Sequence, residues 1–162
     1  MSYLVHAVIL GIGATLLMDL WGVVRGPLFG FAPLDYAMLG RWFGSMARGR
    51  FRHEAIARSP RVPAERVIGV AGHYLTGITL AGLLLLLTGP TWLHRPTLGA
   101  PLLFGVATVV APLLIMQPAM GAGIAAANTP RPGTARLQSL LSHAIYGLGL
   151  YLAGWLDQLL FT

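Results

Sequence analysis

His73 and His143 stand seventy residues apart, each seven residues after an arginine, Arg66 and Arg136, inside long apolar segments. An imidazole is costly in such a setting and needs a reason for being there. Asp19 and Gln117 add a carboxyl group and an amide to two further apolar segments. These four side chains suit three kinds of chemistry. His73 and His143 with Asp19 make a metal-ligand set for zinc or iron, and a thioether from Met18 or Met116 turns the preference towards copper. Two imidazoles can also hold a haem iron from both sides. Gly77 and Gly147, four residues after the histidines, would then leave room for the macrocycle, and Arg66 and Arg136 would meet its propionates. The third chemistry is proton-linked, because imidazole titrates near neutral pH. Against all three stands a plain structural reading: Asp19 and a histidine pair to lock helices, Gln117 bonds across helices, and the glycines only let a neighbouring helix come close.

The histidines belong to a longer repeat. Ser59-Pro60-Arg61 is answered by Thr129-Pro130-Arg131, Leu75 by Ile145, Gly77 by Gly147, Ile78 by Leu148 and Leu80 by Leu150. Both copies pass from a polar approach into an apolar run. Leu17-Met18-Asp19 answers Ile115-Met116-Gln117 more faintly. The expected architecture is therefore two helical hairpins in parallel, related by a pseudo-twofold axis along a membrane normal.

Composition demands a membrane. Of 162 residues, 56% are hydrophobic and 10% charged, where a soluble domain carries about 25% charged residues; the mean hydropathy is +0.70. The chain reads as a single all-α membrane domain over 1–162, with spans at about 3–24, 67–87, 97–120 and 137–161, each near the roughly 20 residues a bilayer needs. The opening Met1-Ser2-Tyr3 lacks the basic residues of a cleaved leader. A rise of about 1.5 Å per residue puts His73 and His143 about 10 Å beyond their arginines and Asp19 about 9 Å before Arg25. One polar residue per span then falls in one layer.

All eleven basic residues are Arg. Arg25, Arg41, Arg48, Arg50, Arg52, Arg58, Arg61 and Arg66 occupy the loop 25–66, Arg131 and Arg136 the third connection, and only Arg95 the second. This asymmetry places the first and third connections in the cytoplasm and both termini outside. The net charge of +6 then faces anionic lipid head groups and calls for no nucleic acid. A specific phosphate-bearing ligand is the alternative for the same arginines. There is no Cys, which excludes disulfides, thiolate metal sites and Cys nucleophiles.

Within the long loop, Leu34, Met38, Trp42 and Met46 recur at four-residue spacing, which predicts an amphipathic helix over Pro33 to Ala47 lying in the membrane interface. Arg48-Gly49-Arg50-Phe51-Arg52-His53 follows as a basic run facing lipid. Pro112 and Pro118 interrupt the third span, and Met120 to Asn128 is a run of small residues suited to tight packing, including against a second copy of the chain. His6, His94 and Asp157 fall near the outer boundary, either as isolated polar residues or as a second cluster, and Trp21, Trp92 and Trp155 sit near span ends as an aromatic belt. No zinc-protease, P-loop, hydrolase-elbow or Rossmann motif is present. Ser139 or Ser142 beside His143 would be nucleophiles without an oxyanion hole.

Several of these stretches together resemble a known family. They are Met18-Asp19-Leu20-Trp21, Leu34-Asp35-Tyr36, Gly40-Arg41-Trp42, Arg50-Phe51-Arg52-His53, His73-Tyr74, Gln117-Pro118 with Met120-Gly121, and His143 with Gly147-Leu148-Gly149-Leu150-Tyr151. The chain resembles a family of small bacterial inner-membrane proteins classed as a domain of unknown function. The resemblance implies a bacterial inner membrane and brings no activity or cofactor. The expectation is a non-enzymatic binding or transport protein with a polar site formed by Asp19, His73, Gln117, His143, Arg66 and Arg136, holding haem, a metal ion at His73 and His143, or a proton-linked ligand. The rivals are an accessory subunit of a larger complex and, third, an enzyme acting on a lipid or quinone.

Overall fold

The computed structural model describes residues 2–31 and 34–161, and among them the chain is all helical, with no strand. The helices are α1 (Tyr3–Phe29), α2 (Tyr36–Met46), α3 (Glu65–Thr88), α4 (Thr91–His94), α5 (Gly99–Thr108), α6 (Gln117–Ala119) and α7 (Pro132–Phe161). Four stretches are long and apolar enough to cross a membrane: Tyr3–Phe29, Glu65–Thr88, Gly99–Ala119 and Pro132–Phe161.

Local chemistry explains where these helices begin and end. The apolar run of α1 continues through Arg25 and Pro27 and stops at Gly30, whose φ of 68° only glycine adopts freely and whose N–H closes on Gly26 O at 2.9 Å. The first helix therefore runs on past the 3–24 expected for the span, and Arg25 lies inside the helix rather than in a loop. Asp35 caps α2, its Oδ1 accepting from Ala37 N at 2.8 Å and Met38 N at 3.2 Å. Pro33, where that helix was expected to begin, lies outside the described residues. Pro132 opens α7 at a position where a missing N–H costs nothing. Between α5 and α6, Pro112 does not break the third span. The chain winds through a π-helical turn at Pro112–Met116, with Gln117 N–H reaching back to Pro112 O.

The chain divides into two compact units. The first comprises Met1–Pro33, Tyr74–Ala107 and Ser142–Thr162. Its core is Leu10, Ala14, Ala81, Leu84, Leu85, Trp92, Tyr146 and Leu150 with smaller neighbours. Helices meet there backbone to backbone. A Cβ on Gly147 would lie 2.6 Å from Pro101 O, and one on Gly77 would collide with Thr15 Oγ1. Both glycines therefore serve close approach, and the clearance a flat macrocycle would need beside them is filled by packed protein. Leu86, Leu103 and Leu159 remain exposed on the helix exteriors, as lipid-facing residues do.

The second unit comprises Leu34–His73 and Thr108–Leu141. Leu39, Trp42, Ile56 and Ala119 form its core, with Met38, Met46, Met116 and Met120 packed against it. The loop after α2 is not a loose connector. Arg41 donates from Nε and Nη2 to both Glu65 oxygens at 2.9 Å, and from Nη1 to the carbonyls of Ile56, Ala57 and Ser59 at 3.0, 3.2 and 3.3 Å. The Glu65 hydrogen bonds raise the Arg41 pKa above its already high ordinary value, against the opposing effect of burial. His53 N–H donates to Ala119 O at 2.8 Å and Ile56 N–H to Met120 O at 3.0 Å, tying the loop to the end of α6. The small-residue run folds into a compact 3-10 turn at Ile124–Ala126.

Candidate functional site

In the first unit, the second half of α1 carries Asp19 and Arg25. Asp19 Oδ2 accepts from the Tyr74 hydroxyl of α3 at 3.0 Å. Two turns on, Arg25 donates from Nη1 to Ser142 Oγ of α7 at 3.0 Å. Arg25 is only 8% exposed and Ser142 equally so. The two groups lie about 9 Å apart along the helix axis, from six residues at about 1.5 Å each. An acidic group bonded to a phenol and a guanidinium bonded to a hydroxyl thus lie on one helix of spanning length. The Tyr146 hydroxyl, one turn after Ser142 on α7, donates to Gly77 O at 2.6 Å.

The sequence-derived residues distribute between the units. Asp19 and His143 belong to the first unit, and His73, Gln117, Arg66 and Arg136 to the second. His73 lies against Tyr36, ring centroids 5.4 Å apart. Gln117 donates from Nε2 to Ser139 Oγ at 3.1 Å, and its Oε1 is buried without a hydrogen-bond partner among the described residues. Arg66 and Arg136 are exposed, with Arg136 Nε donating to Ala125 O at 2.8 Å. Ser139 and Ser142, for which no oxyanion hole was found in the sequence, are hydrogen-bond partners of Gln117 and Arg25. Among the described residues, no three His, Asp or Glu side chains gather to hold a metal ion.

Two arrangements escaped sequence reasoning. Tyr74 adjoins His73 in the chain, so its service to Asp19 had a visible neighbour but no periodicity to mark it. Arg25 was hidden by its role as a boundary. Of the two alternatives for His6 and Asp157, the cluster holds: at the far end of the first unit His6 Nδ1 lies 2.8 and 2.9 Å from the two carboxylate oxygens of Asp157. Asp157 is 1% exposed. These two residues form a buried pair joining the start of α1 to the end of α7, while Gln158 Nε2 donates to His94 O at 2.6 Å.

Four apolar helices of spanning length, two of them joined to α1 by hydroxyls bonded to Asp19 and Arg25, make an all-helical protein consistent with the multi-pass membrane class. The profile of DUF2938, a family of proteins of unknown function, matches residues 8–157, and the chain belongs to that family. No curated protein and no solved structure matches the chain.

Proposed function

We propose that this chain is a multi-pass protein of a bacterial inner membrane that binds or transports a small polar ligand at an intramembrane site built on α1. Asp19 and Tyr74 supply a carboxyl and a phenol able to exchange a proton with the ligand, and Arg25 with Ser142 supplies a cationic group for an anionic part of it. The observation that carries this reading is Arg25. A guanidinium buried inside a span is expensive, and ionisable residues at membrane depth line ligand or ion paths far more often than they serve packing alone. The two parallel hairpins, the interfacial placement of α2 and the cytoplasmic position of the arginine-rich connections belong to the same proposal. The exposure of Arg48, Arg50 and Arg52 supports their contact with anionic head groups.

Native mass spectrometry of the detergent-extracted protein tests this. The wild type is expected to carry a bound non-protein mass, and Asp19→Asn and Arg25→Gln are expected to lose it at least about tenfold, the scale of losing a charge-assisted hydrogen bond. A wild type and variants that all fly with the bare chain mass after extraction in several mild detergents would contradict the proposal and favour a purely structural polar layer.

A further inference from the structure

In the second unit, His53 ends the basic run but is buried. Its neighbours Arg50 and Arg52 are exposed, whereas His53 is only 8% exposed. Its Nδ1 lies 2.8 Å from Ser59 Oγ, and Ser59 Oγ in turn donates to Ala55 O at 3.4 Å. A hydroxyl has one proton. With that proton on Ala55 O, Ser59 accepts from Nδ1–H, and the tautomer so fixed leaves the lone pair on Nε2. That nitrogen is buried and has no hydrogen-bond partner among the described residues. A buried imidazole whose Nδ1–H is held by an oxygen and whose Nε2 is bare has the arrangement of a metal-ligating histidine with its supporting partner in place.

What surrounds it sets the metal. His53 N–H bonds Ala119 O and Ile56 N–H bonds Met120 O, so residues 53–56 run alongside Met120. Met120 N–H reaches back to Met116 O at 2.9 Å, which sets the two methionines one helical turn apart on one face. Both pack against Leu39, Trp42, Ile56 and Ala119, and Met38 and Met46 join the same cluster. Four of the chain's six methionines are thus gathered in one small core. An apolar core can be filled by Leu, which specifies packing better than the flexible thioether. A hard cation would need carboxylates, and the described residues offer no such group of ligands.

We propose that His53 Nε2, with the thioethers of Met116 and Met120, forms a site for a soft monovalent metal ion, Cu(I), a preference that thioether donors impose. The site is independent of the intramembrane reading above, and neither depends on the other being correct.

The test is anaerobic titration of the full-length protein in detergent with Ag(I), a redox-inert stand-in for Cu(I), against a competing chelator. The chain has no Cys to compete for the ion. Wild type is expected to bind stoichiometric Ag(I) saturably. The double variant Met116→Leu/Met120→Leu preserves core volume and is expected to bind at least about tenfold more weakly. Ser59→Ala leaves every ligand in place but frees Nδ1, and is expected to weaken binding about 10- to 100-fold. A wild type without saturable binding overturns the proposal. So does Ag(I) binding that both variants retain at full strength, which would mean scattered adventitious methionines.

Discussion

Asp157 and His6 show how a single polar contact can matter at depth. The carboxylate is almost wholly buried, with the His6 imidazole on both oxygens. Removing one partner leaves the other buried and unpaired, so His6→Ala is expected to destabilise the protein by about 3–5 kcal/mol. Replacing both residues by apolar ones of similar size is expected to cost far less, because the desolvation penalty disappears with the polar groups. Thermal unfolding in detergent of the single and double variants measures both. A double variant as damaged as the single one would show that the pair does more than satisfy its own burial. Asp19 and Arg25 bond the hydroxyls of Tyr74 and Ser142 from within α1, and the proposed site is built on these two contacts.

Helices and turns set the positions of those groups, and here the sequence was legible to different depths. The four spans and the amphipathic α2 followed from apolar run lengths and four-residue spacing, both local properties. The π-helical turn at Pro112 did not, because a proline announces a lost hydrogen bond without saying whether the helix breaks or overwinds. The role of Arg41 as the hub of the 47–64 loop was equally hidden, since its carbonyl acceptors lie 15 to 18 residues away. Depth along each span could be reckoned from the sequence, but the bonds from Tyr74 to Asp19 and from Arg25 to Ser142 depend on how helices rotate against one another. Two element-level outcomes follow. Gly147→Leu forces a side chain into the backbone of α5 and is expected to cost about 1–3 kcal/mol or more. Ala125 holds φ 49° in the turn before α7. Ala125→Gly is expected to relieve that strain and stabilise by about 1 kcal/mol. Denaturation midpoints check each, and an unchanged Gly147→Leu would refute the packed interface.

For the molecule entire, the proposed orientation rests on arginine placement together with span count. The Cys-free chain makes this directly measurable, because any introduced Cys reports alone. With a membrane-impermeant maleimide on intact cells, Thr97→Cys is expected to label and Arg52→Cys to label only after the membrane is opened. The reverse pattern would invert the positive-inside assignment. The decisive comparison concerns Tyr74→Phe/Ser142→Ala, which removes two hydroxyls and nothing else. Retained ligand mass and unfolding midpoint should be measured on the same detergent-extracted samples of this variant and the wild type. An intramembrane binding site predicts that the bound mass disappears while the midpoint falls by only a few degrees, the effect of about 1 kcal/mol per lost hydrogen bond. A midpoint that collapses while the wild type itself carries no bound mass would contradict it, and would make Asp19 and Arg25 parts of the scaffold.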